Sequence, residues 1–325
     1  MTTFGDQVKE YGGAPVGSGR FSSPWATHYF VDYDNGSASN GGKAPDKALK
    51  TIEAAKDLAV GGDVIYIRPR AYQIAQGFRR YAEDITLATG GAGGSGVVDT
   101  NANMSFIGVT QRTASASDFL GVRWKVSGTN TVPFTVQAAG VHIENIGFFN
   151  EGTGNTIYFQ NEATGRTMNG GDGPTIYNCA FKTKGPVRNN GGDGLQIVNC
   201  RFQMKHDGTG TSIQLDGRGT DSGAACARNV IKGCTFMGGN ANNFATSPII
   251  IQGSHYDLVI RDCYFANIPD TGDYIAFSGT NDGVVANCYF GAASSEADLA
   301  SLAGGDTGIY SAGIYDELGI VTMTA

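Results

Sequence analysis

Thr175-Ile-Tyr-Asn-Cys179-Ala-Phe181 is followed by Leu195-Gln-Ile-Val-Asn-Cys200-Arg-Phe202, and the phrase returns three more times. The later copies are Val230-Ile-Lys-Gly-Cys234-Thr-Phe236, Val259-Ile-Arg-Asp-Cys263-Tyr-Phe265 and Val284-Val-Ala-Asn-Cys288-Tyr-Phe290. An earlier copy, Val141-His-Ile-Glu-Asn-Ile146-Gly-Phe148, has Ile in the Cys place. Each copy carries Ile or Val three residues before that place (Ile143, Ile176, Ile197, Ile231, Ile260, Val285) and Phe two residues after it. Apolar and polar residues alternate on both sides, which is the period of a half-buried strand. Between the two halves stands Asn145, Asn178, Asn199, Asp262 or Asn287, with Gly233 as the exception. These residues suit a bend, so the phrase reads as strand, tight turn, strand.

The phrase also explains the cysteines. Cys exchanging with Ile in one pattern position is a small buried apolar side chain. Disulfides and a metal site are the alternatives. No C-x₂-C spacing offers a zinc site, so packed, reduced thiols are expected and no metal. Cys226 lies outside the pattern and has no place in this reading.

The Phe marks fall at 148, 181, 202, 236, 265 and 290, so the core phrase is constant while the spacing varies. That is a solenoid with loops of unequal length. A second short strand precedes most copies: Phe134–Val136, Ile157–Phe159, Ile213–Leu215, Ile249–Ile251 and Tyr274–Phe277. Leucine-rich repeats need several Leu per repeat, whereas the whole chain holds ten. Propeller blades would give a steadier period and no single-position Cys ladder. The expected fold is all-β, a right-handed parallel β-helix with a short N-terminal capping helix. Its rungs would stack at roughly 4.8 Å, lining up aliphatic, Cys, Phe and Asn ladders.

Composition agrees. Gly occurs 49 times in 325 residues, and only 16% of residues are charged, about two-thirds of the usual share. A net charge of −7, with no basic run beyond Arg79-Arg80, argues against a nucleic-acid surface. The apolar runs are too short for membrane insertion by a helix. Residues 1–28 show no basic start followed by an apolar core, so no secretion signal is expected.

The remaining organisation follows from local cues. Residues 1–28 read as an extended arm and 29–62 as a cap. Residues 63–292 read as the β-helix and 293–325 as a C-terminal cap or tail, with a helix expected over Ser294–Leu302. In the cap, Thr51 offers an N-cap to a helix whose Ile52, Ala55 and Leu58/Ala59 share a face. The cap contains Asp32-Tyr-Asp-Asn35-Gly36, then Thr51-Ile52, then Gly62-Asp63-Val-Ile-Tyr-Ile67-Arg-Pro69-Arg-Ala-Tyr72. This order resembles the opening of pectin-lyase-like right-handed β-helix proteins. The superfamily includes lyases, hydrolases, epimerases and non-catalytic virion proteins, so the resemblance implies a fold and leaves activity open. The start, Met1-Thr-Thr-Phe-Gly-Asp6 with Gly12-Gly13-Ala-Pro15-Val-Gly17, is similar to β-helix proteins of tailed-phage virions. That likeness implies a head-decorating or fibre role, commonly as a homotrimer.

Polysaccharide cleavage on such a fold needs clustered carboxylates on one strand face, or calcium beside an Arg or Lys base. The motifs of polygalacturonase-like enzymes do not occur in the chain. Asp216-Gly-Arg218-Gly-Thr-Asp221 is the best acidic group, a candidate for sugar hydroxyls or an ion. Asp172 and Asp193 sit in Gly-Gly-Asp-Gly turns, Asp262 falls on the Asn-ladder position, and Gly90–Gly96 lacks the ending of a phosphate loop. His28, His142, His206 and His255 read as surface or turn residues. The expectation is a non-catalytic virion protein with no cofactor. It would be held to a major capsid or other virion protein through an arm displaying Phe4, Tyr11, Phe21 and Trp25. The alternative is a tailspike or fibre that binds or degrades a cell-surface glycan.

Overall fold

A computed structural model of the chain describes residues 10–11, 14–15, 25–73, 77–78, 80–87, 101–109, 121–125, 132–150, 152, 154–160, 173–204, 210–217, 226–238, 247–266, 274–291, 308–313, 315–316 and 319–320. Three long sheets hold most of the strands, eleven in sheet A, nine in sheet B and seven in sheet C. One coil runs through Val187–Asn190 in sheet C, Gln196–Val198 in sheet A and Arg201–Met204 in sheet B, and the next coil repeats the circuit. Nearly every pairing between coils is parallel, each strand bonded to its counterpart one turn away. The chain is a right-handed parallel β-helix, the hand that parallel crossovers take.

Register makes the ladders. Ile143, Ile176, Ile197, Ile231, Ile260 and Val285 are successive partners in sheet A. Phe148, Phe181, Phe202, Phe236, Phe265 and Phe290 are successive partners in sheet B. The neighbouring rings lie 4.7–5.3 Å apart and within 10° of parallel. All six are buried. Burying each such side chain is worth about 1.5–3 kcal/mol, so the column is a principal source of stability.

Sheets A and B are joined by a one-residue corner. Asn145, Asn178, Asn199, Asp262 and Asn287 all adopt φ of 51–57°, and Gly233 takes 64°. Asn and Asp enter this left-handed region more readily than other residues with a Cβ, and Gly enters freely. Gly233 therefore interrupts the amide ladder while preserving its backbone. Asn178 Nδ2 donates to Asn145 Oδ1 at 2.5 Å, linking two rungs. Beside this corner the thiols of Cys179, Cys200, Cys234 and Cys263 each reach the Ile carbonyl of the preceding coil. All six cysteines are free and buried. Burial pushes Cys200 and Cys234 well above the ordinary thiol range, and neighbouring thiols together with burial do the same for Cys263 and Cys288. Neutral thiols of this kind are poor nucleophiles.

The cap closes the first coil. His28–Val31 pairs with Val64–Ile67 as the outermost strand of sheet A. Asp32 is buried and accepts hydrogen bonds from the backbone of Asp34 and Asn35, the Asn35 amide and Arg68 Nη1, the last at 2.6 Å. The helix Ile52–Leu58 begins where Thr51 Oγ1 accepts from Ala54 N at 3.2 Å. Glu83 Oε2 accepts from Glu53 N at 2.7 Å, a second cap supplied from outside the helix. Ile52, Ala55 and Ala59 are buried as expected, but Leu58 is 49% exposed and does not share their face. Its carbonyl instead accepts from the Tyr29 hydroxyl at 2.9 Å. At the far end Gly308–Ala312 adds a parallel strand to sheet A. Tyr315–Asp316 adds one to sheet B and then pairs antiparallel with Gly319–Ile320. The expected helix over Ser294–Leu302 lies outside the described residues.

Candidate functional site

Sheet C carries an interlocked polar surface. Its strands are Ile85–Leu87, Phe134–Val136, Ile157–Gln160, Val187–Asn190, Ile213–Asp216, Ile249–Gln252 and Ile275–Ser278. Ile157 and Phe159, Ile213 and Leu215, and Ile249 and Ile251 point inward and are buried. Strand alternation turns the intervening residues outward. One outward lane runs Thr86, Thr135, Tyr158, Arg188, Gln214, Ile250, Ala276, and a second runs Gln137 beside Gln160, Asn190, Asp216, Gln252, Ser278.

These side chains hold one another. Gln137 Nε2 donates to Gln160 Oε1 at 3.0 Å, and Asn190 Nδ2 donates to the Tyr158 hydroxyl at 3.1 Å. The Arg188 guanidinium lies 5.8 Å from the Tyr158 ring centre, and its Nε donates to Asp216 Oδ2 at 2.5 Å. Gln214 Nε2 donates to Asp216 Oδ1 at 2.9 Å, within reach of Gln252 Oε1 at 3.4 Å. The result is a strip of amides, one phenol and one ion pair running across successive rungs.

The strip rests on a rigid underside. After the last four strands of the sheet the chain turns through Gly191, Gly217, Gly253 and Gly279. A Cβ on Gly253 would stand 2.8 Å from the Gly217 Cα, so only glycine lets these coils approach. Inside, Asn189 is fully buried, and its amide exchanges hydrogen bonds with the backbone of Gly192. Asn229 Oδ1 accepts from Leu195 N at 3.0 Å. The Cys226 thiol donates to the Asp216 carbonyl, which finds Cys226 a place as a buried brace under the strip. His255, stacked next to Cys226 in register, faces the Gln252 carbonyl at 3.1 Å, and burial lowers its pKa.

Of the expected site residues, the structure places Asp216 on this face, buried and bonded to Arg188 and Gln214. Arg218 and Asp221 lie outside the described residues, as do Phe4, Phe21, Asp172, His206 and Gly90–Gly96. Tyr11 is described only as part of a short antiparallel pairing, Glu10–Tyr11 with Ala14–Pro15. Trp25 is 90% exposed. Asp193 is a turn residue whose carboxylate accepts from Ala227 N at 2.8 Å. Asp262 belongs to the corner ladder. Reading all the histidines as surface or turn residues needs correction. His142 and His255 are buried, because both occupy strand positions, and His142 Nε2 lies 2.9 Å from Glu144 Oε2.

Sequence reading did not single out Tyr158, Arg188, Gln214 and Gln252. The available signal was their position between inward aliphatic residues, in strands already recognised for Tyr158 and Gln214. Sheet B offers a contrast on its outer side. Between Val122 and Phe290 every charged residue in its strands is basic: Arg123, which is buried beside the Phe149 ring, and Lys125, Lys182 and Arg201. Farther along come Tyr264 and Tyr289, with rings stacked at 5.0 Å.

No family model matches the chain, and no curated protein matches it. Among solved structures it is similar to a rhamnogalacturonan lyase, at 14% identity and a TM-score of 0.47, over 82% of this chain and 68% of that one. It is also similar to a GH136 lacto-N-biosidase from Eubacterium ramulus, at 11% identity and a TM-score of 0.40, over 81% of this chain and 59% of that one.

Proposed function

We propose that this protein is a carbohydrate-binding structural β-helix of the fibre or tailspike kind, which holds an extended sugar chain along sheet C without cutting it. The observation that carries the reading is the interlocked strip from Tyr158 to Gln252. Side-chain amides both donate and accept, and a guanidinium fork donates in a plane, which suits the paired hydroxyls of a sugar. Because the strip is already ordered by its own hydrogen bonds, little side-chain entropy is lost on binding. Strands rising one rung at a time set polar side chains along a line, as an extended polymer requires. Among the described residues the face presents one carboxylate, Asp216, and it already accepts two hydrogen bonds. Hydrolysis by two carboxylates needs a second one across the scissile bond.

The test is a binding panel of soluble polysaccharides by calorimetry, with Tyr158→Ala and Gln214→Ala as paired variants. Binding weakened in both variants supports the assignment. Unchanged binding moves the site elsewhere. Reducing-end and ultraviolet unsaturation assays on the bound polysaccharides should show no products, and product formation would end the binding-only reading.

A second reading, head decoration of a tailed-phage virion as a homotrimer attached through residues 1–28, is favoured by the exposed Trp25 beside the first coil. Deleting residues 1–24 and changing Trp25→Ala should abolish attachment to the particle while circular dichroism stays native. Unchanged attachment would remove this reading.

A further inference from the structure

Charge on the outer face of sheet C is confined to one pair. Along both lanes, from Thr86 to Ser278, the described outward residues that carry charge at neutral pH are Arg188 and Asp216. They neutralise each other at 2.5 Å, with the Arg188 side chain 36% exposed and that of Asp216 11%. Gln214 fills the other Asp216 oxygen. The remaining outward residues are Thr, Tyr, Gln, Asn, Ile, Ala and Ser. On sheet B, by contrast, the strand charges between Val122 and Phe290 are all basic, with Lys125, Lys182 and Arg201 at least partly exposed. The molecule therefore has a neutral polar strip and, on a different side, a cationic one.

We infer that Asp216 is a specificity-determining residue that holds Arg188 in an internal ion pair, so that sheet C selects uncharged sugar chains over chains of uronic acids. This rests on the carbohydrate-binding reading above. A neutral sugar can take hydrogen bonds from the outward N–H groups of Arg188 while the ion pair stays intact. A uronate brought to the same place meets the Asp216 carboxylate beside Arg188. It must either share the guanidinium with a like charge or displace Asp216, which is buried and has no other cation among its described contacts. Like-charge opposition of this sort is a common way to reject a wrong ligand.

The experiment uses the full chain and two probes, a neutral glucan or galactan series and a polygalacturonate series, measured by calorimetry at low and moderate salt. Wild type should bind its best neutral chain at least about tenfold more tightly than any polyuronate. Asp216→Asn keeps the shape and the Gln214 contact while releasing the Arg188 charge. Its affinity for polyuronate should rise about tenfold and become salt-dependent. Adding Arg188→Gln to Asp216→Asn should abolish that gain, and circular dichroism with thermal melting confirms that each variant is folded. Equal or tighter uronate binding by wild type overturns the inference and leaves carbohydrate binding standing. So does an Asp216→Asn variant whose preference does not move. Binding of neither probe class by wild type overturns both.

Discussion

The corner between sheets A and B and the outer face of sheet C are built from the same coils by opposite rules. At the corner each coil repeats the last: an aliphatic residue, a left-handed Asn, Asp or Gly, a small buried residue and a Phe. On sheet C the inward positions stay apolar in all but one case, while the outward ones change from Thr to Tyr to Arg to Gln to Ile. Repetition marks where each coil depends on its neighbours for packing. Variation marks where the side chain is free to serve something other than the fold. The comparison gives a way to separate residues that keep the rod standing from residues that act.

The largest effect should come from cutting the repeated column. Phe202→Ala removes a ring stacked 4.7 Å from Phe181 and 5.0 Å from Phe236. It should cost about 3–5 kcal/mol in denaturant unfolding. A cost below 1 kcal/mol would mean that the column is not the source of order. The Asp32 turn occurs once, yet it works as the corner does, by satisfying backbone groups. Asp32→Ala should cost about 1.5–3 kcal/mol through lost hydrogen bonds to a charged group. Burial pushes the Asp32 carboxyl up, but Asn35 and Arg68 outweigh it and hold its pKa below the ordinary value. Its contribution is therefore present above the unfolded carboxylate pKa and lost as pH falls through the lowered one. Burial raises Glu83, which changes stability in the opposite sense, a gain as pH falls through its raised pKa toward the ordinary carboxylate value. Acid titration of Asp32→Asn and Glu83→Gln should thus alter the slope with opposite signs.

A smaller effect is expected at one corner residue. Asn178→Ala places a Cβ residue without a compensating amide at φ 51° and breaks the bond to Asn145. The cost should be about 1–3 kcal/mol by thermal melting, and Asn178→Gly should recover part of it. The smallest change in stability belongs to the varied face. Tyr158→Ala and Gln214→Ala should stay within about 0.5 kcal/mol of wild type, because each is partly exposed. A large loss there would erase the distinction between corner and face.

The corner was legible in the sequence because it is written six times. Cys against Ile146, and Gly233 against Asn, are informative only when copies can be aligned, and the alignment places the strands, the turn and the inward direction together. The cap was legible through chemistry: Thr51 as N-cap and Asp32 in its turn. The strip on sheet C was not legible, since a residue such as Arg188 has no repeated counterpart. The strand that carries it, Val187–Asn190, presents Val and the buried Asn189 inward, so its alternation is masked by an internal polar residue. Cys226 was obscure for the same reason. It braces a carbonyl one strand away, a relation set by the coil and not by sequence spacing. Asp216 was picked out as an acidic residue near Arg218, while the structure ties it to Arg188, the residue opposite Gln214 on the previous coil.

The antiparallel pair Tyr315–Asp316 with Gly319–Ile320 has a consequence for colloidal behaviour. A parallel stack is an open template: the last rung presents the same row of donors and acceptors that every earlier rung used to recruit its successor. Left bare, that row invites the first coil of another molecule, then another, and the rod lengthens into a filament. The reversed strand occupies the terminal row of sheet B with a backbone running the other way. A newcomer docking onto it meets hydrogen-bond spacing suited to an antiparallel partner, while its own strands arrive parallel. Removing residues 317–325 should turn clear concentrated solutions turbid and raise scattering with time, with little change in the melting of the coils themselves.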